Sequence, residues 1–242
     1  MKLFEPLHLG NMHLANRIVM APLTRSRADA KTNAPGGLAA TYYGQRASAG
    51  LIIAEGTSPS PNGVGYPRIP GIYSQAQIDG WRLVAESVHE KDGNLFVQLM
   101  HCGRVAHEAN LPQGASVIAP SEVELPGEMY TDAYGMQPHT PARAMTGEDL
   151  QVTAEEYVQA AKNAVEAGCD GVEIHAANGY LLEQFIHPHT TRREDDYGGS
   201  IETRCRFVLE VVRQCCDAIG KEKVGIRLSP YGTFNDMPHY DE

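Results

Sequence analysis

A parallel α/β sheet with helices outside it is the fold class this sequence predicts. Three observations carry the prediction: five short apolar strand candidates, helical patterns with recognisable ends between them, and one long proline- and glycine-rich passage that suits a surface excursion better than a crossover helix.

In chain order, Leu7-His8-Leu9-Gly10 and Met12-His13-Leu14 form a small hairpin around a Gly10-Asn11 turn. Ile18 to Leu23 is the first continuous apolar strand, closed by Pro22, which has no N–H to give a ladder. Leu51 to Ala54, Leu95 to Met100, Gly171 to His175 and Val224 to Leu228 are the second to fifth. Between them, Gln75 to Lys91 sets Ile78, Trp81, Val84, Ala85 and Val88 on one helical face. Thr153-Ala154-Glu155-Glu156 offers a capping box for a helix that runs through Val158, Ala161 and Val165 to Gly168. Ser200 caps Ile201 to Ile219, with Gly220 as terminator. The passage from Cys102 to Thr146 carries Pro112, Gly114, Pro120, Pro126, Gly127, Pro138 and Pro141; it is expected to run over the strand mouths, cover a site and limit water.

Composition bounds the function. A length of 242 residues with 42% hydrophobic content suits one large α/β domain or two small ones. A net charge of −10 argues against a nucleic-acid groove, which needs a basic surface. No apolar run is long enough for a bilayer, so no membrane partner is expected. Met1 to Pro6 has no apolar core of a signal peptide, and five unevenly spaced cysteines, Cys215 and Cys216 adjacent, do not make a disulfide framework. The expected location is a reducing cytoplasm.

The chemistry gathers at the end of the fourth strand. His175 and Asn178 sit at its C-terminal mouth, where parallel α/β folds bind ligands, and a glycine-permitted turn swings Tyr180 beside them. An imidazole N–H and a carboxamide N–H together polarise one electronegative oxygen, and a phenol beside them can protonate a carbanion-like centre. The competing reading is a core histidine and a turn asparagine. Other strand ends add Pro22, Thr24, Gly56, Gln98, His101 and Arg227. Neutral hydrogen-bonding groups, a glycine that lets backbone approach a flat ring, and one fixed cation suit a planar heterocycle with an amide-like edge; for a flavin, the cation would stabilise the anionic reduced ring.

Five motifs in order, Ala21-Pro22-Leu23-Thr24-Arg25, Glu55-Gly56-Thr57, Gln98 to Arg104, His175 to Phe185 and Asp196 to Arg204, make the chain resemble the old yellow enzyme family of FMN-dependent ene-reductases (NADH:flavin oxidoreductases, N-ethylmaleimide reductase-like) from about Leu3 to Phe234. The resemblance implies a TIM (β/α)8-type barrel with FMN at its C-terminal face and NADPH or NADH as reductant. It implies that Pro22, Thr24, Gly56, Gln98, His175 and Arg227 hold the isoalloxazine ring. His175 and Asn178 would bind the carbonyl or nitro oxygen of a small-molecule substrate, Tyr66 and Met100 would line the substrate pocket, and Tyr180 would be the proton donor. Met100 departs from the aromatic that many relatives carry.

Only five strand candidates precede Glu242, and a closed barrel needs eight. The expectation is therefore an incomplete barrel, about five of eight β/α units with the N-terminal hairpin, forming a single FMN-binding domain over residues 1–242 that is shortened after the fifth strand. Its open edge would self-associate or take a complementing chain. Two other classes stand beside the ene-reductase: a non-catalytic barrel fragment acting as a binding module, and a metal-dependent barrel hydrolase using His175, His187 and His189, which lacks a nearby carboxylate constellation.

Overall fold

The computed structural model describes residues 1–241. The expected hairpin forms first: β1 (Leu7–Leu9) and β2 (Met12–Leu14) pair antiparallel with Leu7 opposite Leu14, and Gly10 takes the left-handed turn at φ 57°. Its apolar side packs Leu7, Met12 and Leu14 against Leu51, Ile53 and Phe96, so the hairpin covers the N-terminal end of the main sheet.

That sheet has five parallel strands: β3 (Val19–Met20), β4 (Leu51–Thr57), β5 (Leu95–Leu99), β10 (Gly171–Ala176) and β11 (Val224–Leu228). Their spatial order, β11-β10-β5-β4-β3, is their order along the chain. Each new strand is added at the same edge, whereas a doubly wound sheet reverses direction at a switch point. A singly wound sheet with helices on one face is the (β/α) barrel arrangement, here five strands wide with β3 and β11 as edges among the described residues. The incomplete barrel expected from the sequence is what the chain forms.

The first strand is shorter than expected. Of Ile18 to Leu23 only Val19 and Met20 pair, with Leu51 and Ile52, and the chain is irregular from 21 to 27. Pro22 cannot continue a ladder, and among the described residues β3 pairs with β4 alone.

The helices lie on the outer face. α1 (Gly37–Gly44) went unmarked in the sequence, because its residues make no apolar stripe and both its ends are glycine. α2 (Gln75–His89) has a capping box between Ser74 and Gln77, and α5 (Ile201–Ile219) ends at Gly220 with φ 91° as expected. Ser200 occupies the N-cap position of α5 but directs its hydroxyl to Glu202 Oε2 rather than to the backbone. α3 (Gly147–Glu166) corrects the expected start at Thr153: Thr146 and Asp149 form the capping box seven residues earlier, and Thr153 is buried within the helix. The side chain of Asp149 is held further by two bonds from Arg143.

Side chains alternate across the sheet. Ile52, Ala54, Val97, Leu99, Val172 and Ile174 face outward and join Trp81, Val84, Val88, Tyr157, Ala161, Phe207 and Val211 in the main core. The passage from Cys102 to Thr146 is an excursion rather than a crossover helix, as expected: one 3-10 turn (Glu108–Asn110), β6 (Ile118–Ala119) paired with β9 (Arg143–Ala144), and a hairpin of β7 (Glu128–Thr131) with β8 (Gly135–Pro138).

Candidate active site at the strand mouths

At the end of β10 the chain turns sharply. Tyr180 N donates to Ala177 O at 3.2 Å, and the two residues between, Asn178 and Gly179, both lie in the left-handed region at φ 57° and 75°. An Asn-Gly pair takes this turn at low cost, because Gly has no Cβ and Asn tolerates the conformation better than most residues. Gly179 is required for a second reason: a Cβ there would fall 2.7 Å from Asn235 Cβ and 2.8 Å from Phe234 O.

The turn is anchored by carboxylate and hydroxyl. Glu183, on the short helix α4 (Leu181–Ile186), accepts from Gly179 N at 2.6 Å and from Ser229 Oγ at 2.8 Å, and Ser229 Oγ accepts from Asn178 N at 2.8 Å. Asn235 Nδ2 donates to Asn178 O at 2.8 Å. The Asn178 backbone is thus bound on both sides, while among the described residues its side-chain carboxamide takes no protein hydrogen bond.

The turn brings Tyr180 against His175, with ring centroids 5.0 Å apart and planes at 81°. His175 is 3% exposed, and its Nδ1 accepts from Ala177 N at 3.2 Å. A neutral imidazole that accepts at Nδ1 carries its proton on Nε2, so Nε2–H is free to donate. Burial, with the Arg227 charge adding to it, pushes the imidazole down to about 3, so it is neutral at physiological pH. Tyr180 Oη lies 3.2 Å from Tyr66 Oη; burial raises both phenols, Tyr66 to about 12, and both keep their protons.

Tyr66 and Met100 pack with Tyr180 in one small cluster that also holds Val64, Ile69, Cys102 and Val105. The structure therefore groups Tyr180, His175, Tyr66 and Met100. The space a Gly56 Cβ would occupy is filled by Met100, whose Cε would lie 2.5 Å away, so this glycine admits Met100. Cys102 is fully buried beside this cluster, its thiol pushed up to about 12, and lines the site without a reactive thiolate.

Gln98, Glu173, His175 and Arg227 form a polar band across neighbouring strands: Gln98 pairs in register with Glu173, and His175 with Arg227. Gln98 Nε2 donates to Glu173 Oε1 at 2.7 Å. Arg227 has no hydrogen-bonded or ion-paired protein partner among the described residues. Pro22 and Thr24 lie just beyond β3 at the same end of the sheet; Thr24 is exposed, and the neighbouring Arg25 N is held by Glu55 Oε2 at 2.9 Å. Among the described residues, no hydrogen bond joins Pro22 or Thr24 to the polar band.

Several supporting groups escaped the sequence reading. Gly103, at φ 61°, lies where a Cβ would come within 2.2 Å of Gln184 Oε1, and Gln184 bridges the third and fourth strand loops by accepting from Arg104 N and donating to Cys102 O and Gly179 O. The buried Arg104 guanidinium donates to Glu124 O, Asn235 O and Asp236 O, each at 3.0 Å, and to Val123 O at 3.5 Å. His187 and His189 are otherwise engaged: His187 Nδ1 accepts from His189 N, its Nε2 lies 2.7 Å from Pro238 O, and His189 Nε2 lies 3.3 Å from Asp236. Neither is brought to His175 as a hydrolase ligand set would require.

Residues 2–242 match the NADH:flavin oxidoreductase / NADH oxidase family. The chain belongs to that family. Among relatives, it is 45% identical to the flavin oxidoreductase hxnT of Emericella nidulans, covering 97% of this chain and 61% of that protein. The old yellow enzyme homologue from Zymomonas mobilis superposes with a TM-score of 0.94 at 42% identity, covering 99% of this chain and 66% of that one. Morphinone reductase in complex with tetrahydroNAD gives 0.93 at 46% identity, covering 99% and 67%. The chain thus spans about 61% to 67% of the length of these family members. No helix among its described residues is long and apolar enough to cross a membrane.

Proposed function

We propose that this chain carries the substrate-activating half of an FMN-dependent ene-reductase acting on activated alkenes such as enones, maleimides and nitro compounds, with NADPH or NADH as reductant. The observation that carries the reading is the neutral His175 held perpendicular to Tyr180, with its Nδ1 occupied by Ala177 N and its Nε2–H left to donate.

The donor set fits a flavin. Gln98 is a neutral hydrogen-bonding group at the strand mouths, and Arg227 is a cation without a protein hydrogen bond among the described residues, suited to an electron-rich ring edge. Gln98, Arg227, His175, Thr24, Pro22 and Gly56 are the residues assigned to hold the ring in a domain extending over residues 1–242. Held there and reduced by a nicotinamide, FMN would supply hydride for the β-carbon of the alkene. His175 Nε2–H and the free carboxamide of Asn178 bind the substrate's carbonyl or nitro oxygen and stabilise the negative charge that grows on it. Tyr180 gives its proton to the α-carbon, and Tyr66, within hydrogen-bond reach of Tyr180 Oη, orients that phenol. Met100 and Tyr66 shape the apolar wall behind the substrate. A reducing, cytoplasmic setting suits five cysteines that stay unpaired.

A second reading rests on a separate observation. Val19 at one sheet edge and Ile226 and Leu228 at the other are 47%, 42% and 58% exposed, which supports pairing of these edges with another copy or a complementing chain.

The test is to purify residues 1–242, record the visible spectrum with and without added FMN, and follow NADPH- and NADH-dependent reduction of cyclohexenone. Flavin absorbance and turnover are expected. Protein that stays colourless and takes up no added FMN overturns the ene-reductase reading and leaves the edge-binding reading.

A further inference from the structure

Glu173 is a buried carboxylate that the proposed chemistry does not use. It is 8% exposed, projects from β10 into the polar band, and receives Gln98 Nε2 at 2.7 Å from a residue 75 positions away in the chain. Arg227, on the strand paired to β10, is the cation that acts on it electrostatically.

A carboxamide presents an acceptor at one end and a donor at the other in nearly the same shape, so its other partner decides which end faces a ligand. An ionised carboxylate only accepts. By binding Nε2 it forces Gln98 to turn Oε1 away from it, leaving an acceptor for a ligand's N–H. A flavin's pyrimidine edge carries one such group, N3–H, between two carbonyl oxygens. Building on the FMN reading, we infer that Glu173 is a positioning residue: its carboxylate locks the Gln98 amide with Oε1 as the flavin N3–H acceptor, and it balances the Arg227 charge at the same ring edge. Burial raises the Glu173 carboxyl, and the Gln98 bond and Arg227 act against that rise.

The experiment has a flavin-free arm and a flavin arm. In the flavin-free protein, ¹⁵N spectra should show Gln98 side-chain NH2 protons that exchange slowly in wild type and quickly in Glu173→Leu, with near-isosteric Glu173→Gln as the variant that keeps the fold. Equal exchange in wild type and both variants overturns the lock. In the flavin arm, affinities for FMN and for N3-methyl-FMN are compared. Wild type should prefer FMN by about tenfold or more, as expected for one hydrogen bond at a desolvated site, and Glu173→Gln should collapse that preference and raise the flavin midpoint potential. An unchanged preference in Glu173→Gln overturns the proposal while the FMN reading stands. A protected Gln98 amide in a chain that binds no FMN sustains the lock and overturns the FMN reading instead.

Discussion

Tyr180 Oη stands 3.2 Å from Tyr66 Oη, with the two rings nearly perpendicular at 84°. The residues are 114 positions apart, on the loops that follow β4 and β10, and Gly65 beside Tyr66 lies where a Cβ would come within 2.4 Å of Val105 O in the loop after β5. This contact directs one phenol toward the mouth of the sheet beside His175, and several outcomes follow from the bonds around it.

Tyr180→Phe removes the proposed proton donor and keeps the ring that packs on His175. Rapid-mixing kinetics should show flavin reduction by NADPH unchanged and alkene reduction slowed about 10²- to 10⁴-fold, the usual contribution of a general acid. Equal slowing of both half-reactions would remove Tyr180 from that role.

Gly103→Ala should destabilise the chain more than Gly114→Ala. Both glycines have positive φ, +61° and +86°, but a Cβ at Gly114 meets nothing within 4 Å while one at Gly103 enters Gln184. Urea unfolding should show about 1–2 kcal/mol for Gly114→Ala and at least about 3 kcal/mol for Gly103→Ala, which adds disrupted Gln184 bonds to the backbone strain. Similar costs at both sites would show that Gln184 yields without loss.

Arg104→Lys should loosen the loop after β11. A lysine cannot reproduce a planar fork that reaches Glu124 O on one side and Asn235 O and Asp236 O on the other. A loss of about 2–3 kcal/mol is expected, with limited proteolysis accelerated around Tyr231 to Asp236. Unchanged cleavage there would place the loop's anchor elsewhere.

Acid stability should depend on His101 and His175. Burial pushes both imidazoles from the ordinary 6.5 down to about 3, so between those values the unfolded chain binds protons that the native chain does not. Their contribution is full above 6.5 and is lost as pH falls toward 3, by on the order of 1.4 kcal/mol per pH unit for each imidazole. Glu55, Glu173 and Glu183, raised by burial, act with the opposite sign, losing their contribution as pH rises above the ordinary carboxylate range. Thermal unfolding of His101→Asn should therefore fall less steeply than wild type between about pH 6 and 4; parallel profiles would mean that this imidazole charges without penalty.

Ile226→Lys with Leu228→Lys should abolish concentration-dependent association of the purified chain in sedimentation. Lysine at an edge strand opposes pairing, and both side chains are outward-facing and exposed. Association unaffected by the pair would move the interface off this edge.

The sequence by itself determined the periodic and local features. Alternating apolar runs marked the hairpin and the positions of all five parallel strands, Gly220 marked the end of α5, and the motif ending in Asn178-Gly179-Tyr180 marked the turn, because strand burial, helix termination and tight turns are set by neighbours a few residues apart. At the start of α3 the sequence misled: it marked Thr153, whereas the helix is capped by Thr146 with Asp149, whose side chain Arg143 also holds. Pro22 marked the end of β3 but not how little of Ile18 to Leu23 would pair, since that depends on the single neighbouring strand. Only the tertiary structure decided which polar groups face one another. The bonds from Gln98 to Glu173, 75 residues apart, from Arg104 to Asn235, 131 apart, and from Ser229 to Glu183, 46 apart, leave no periodic trace, because a buried donor needs an acceptor nearby in space and places no demand on its position in the chain.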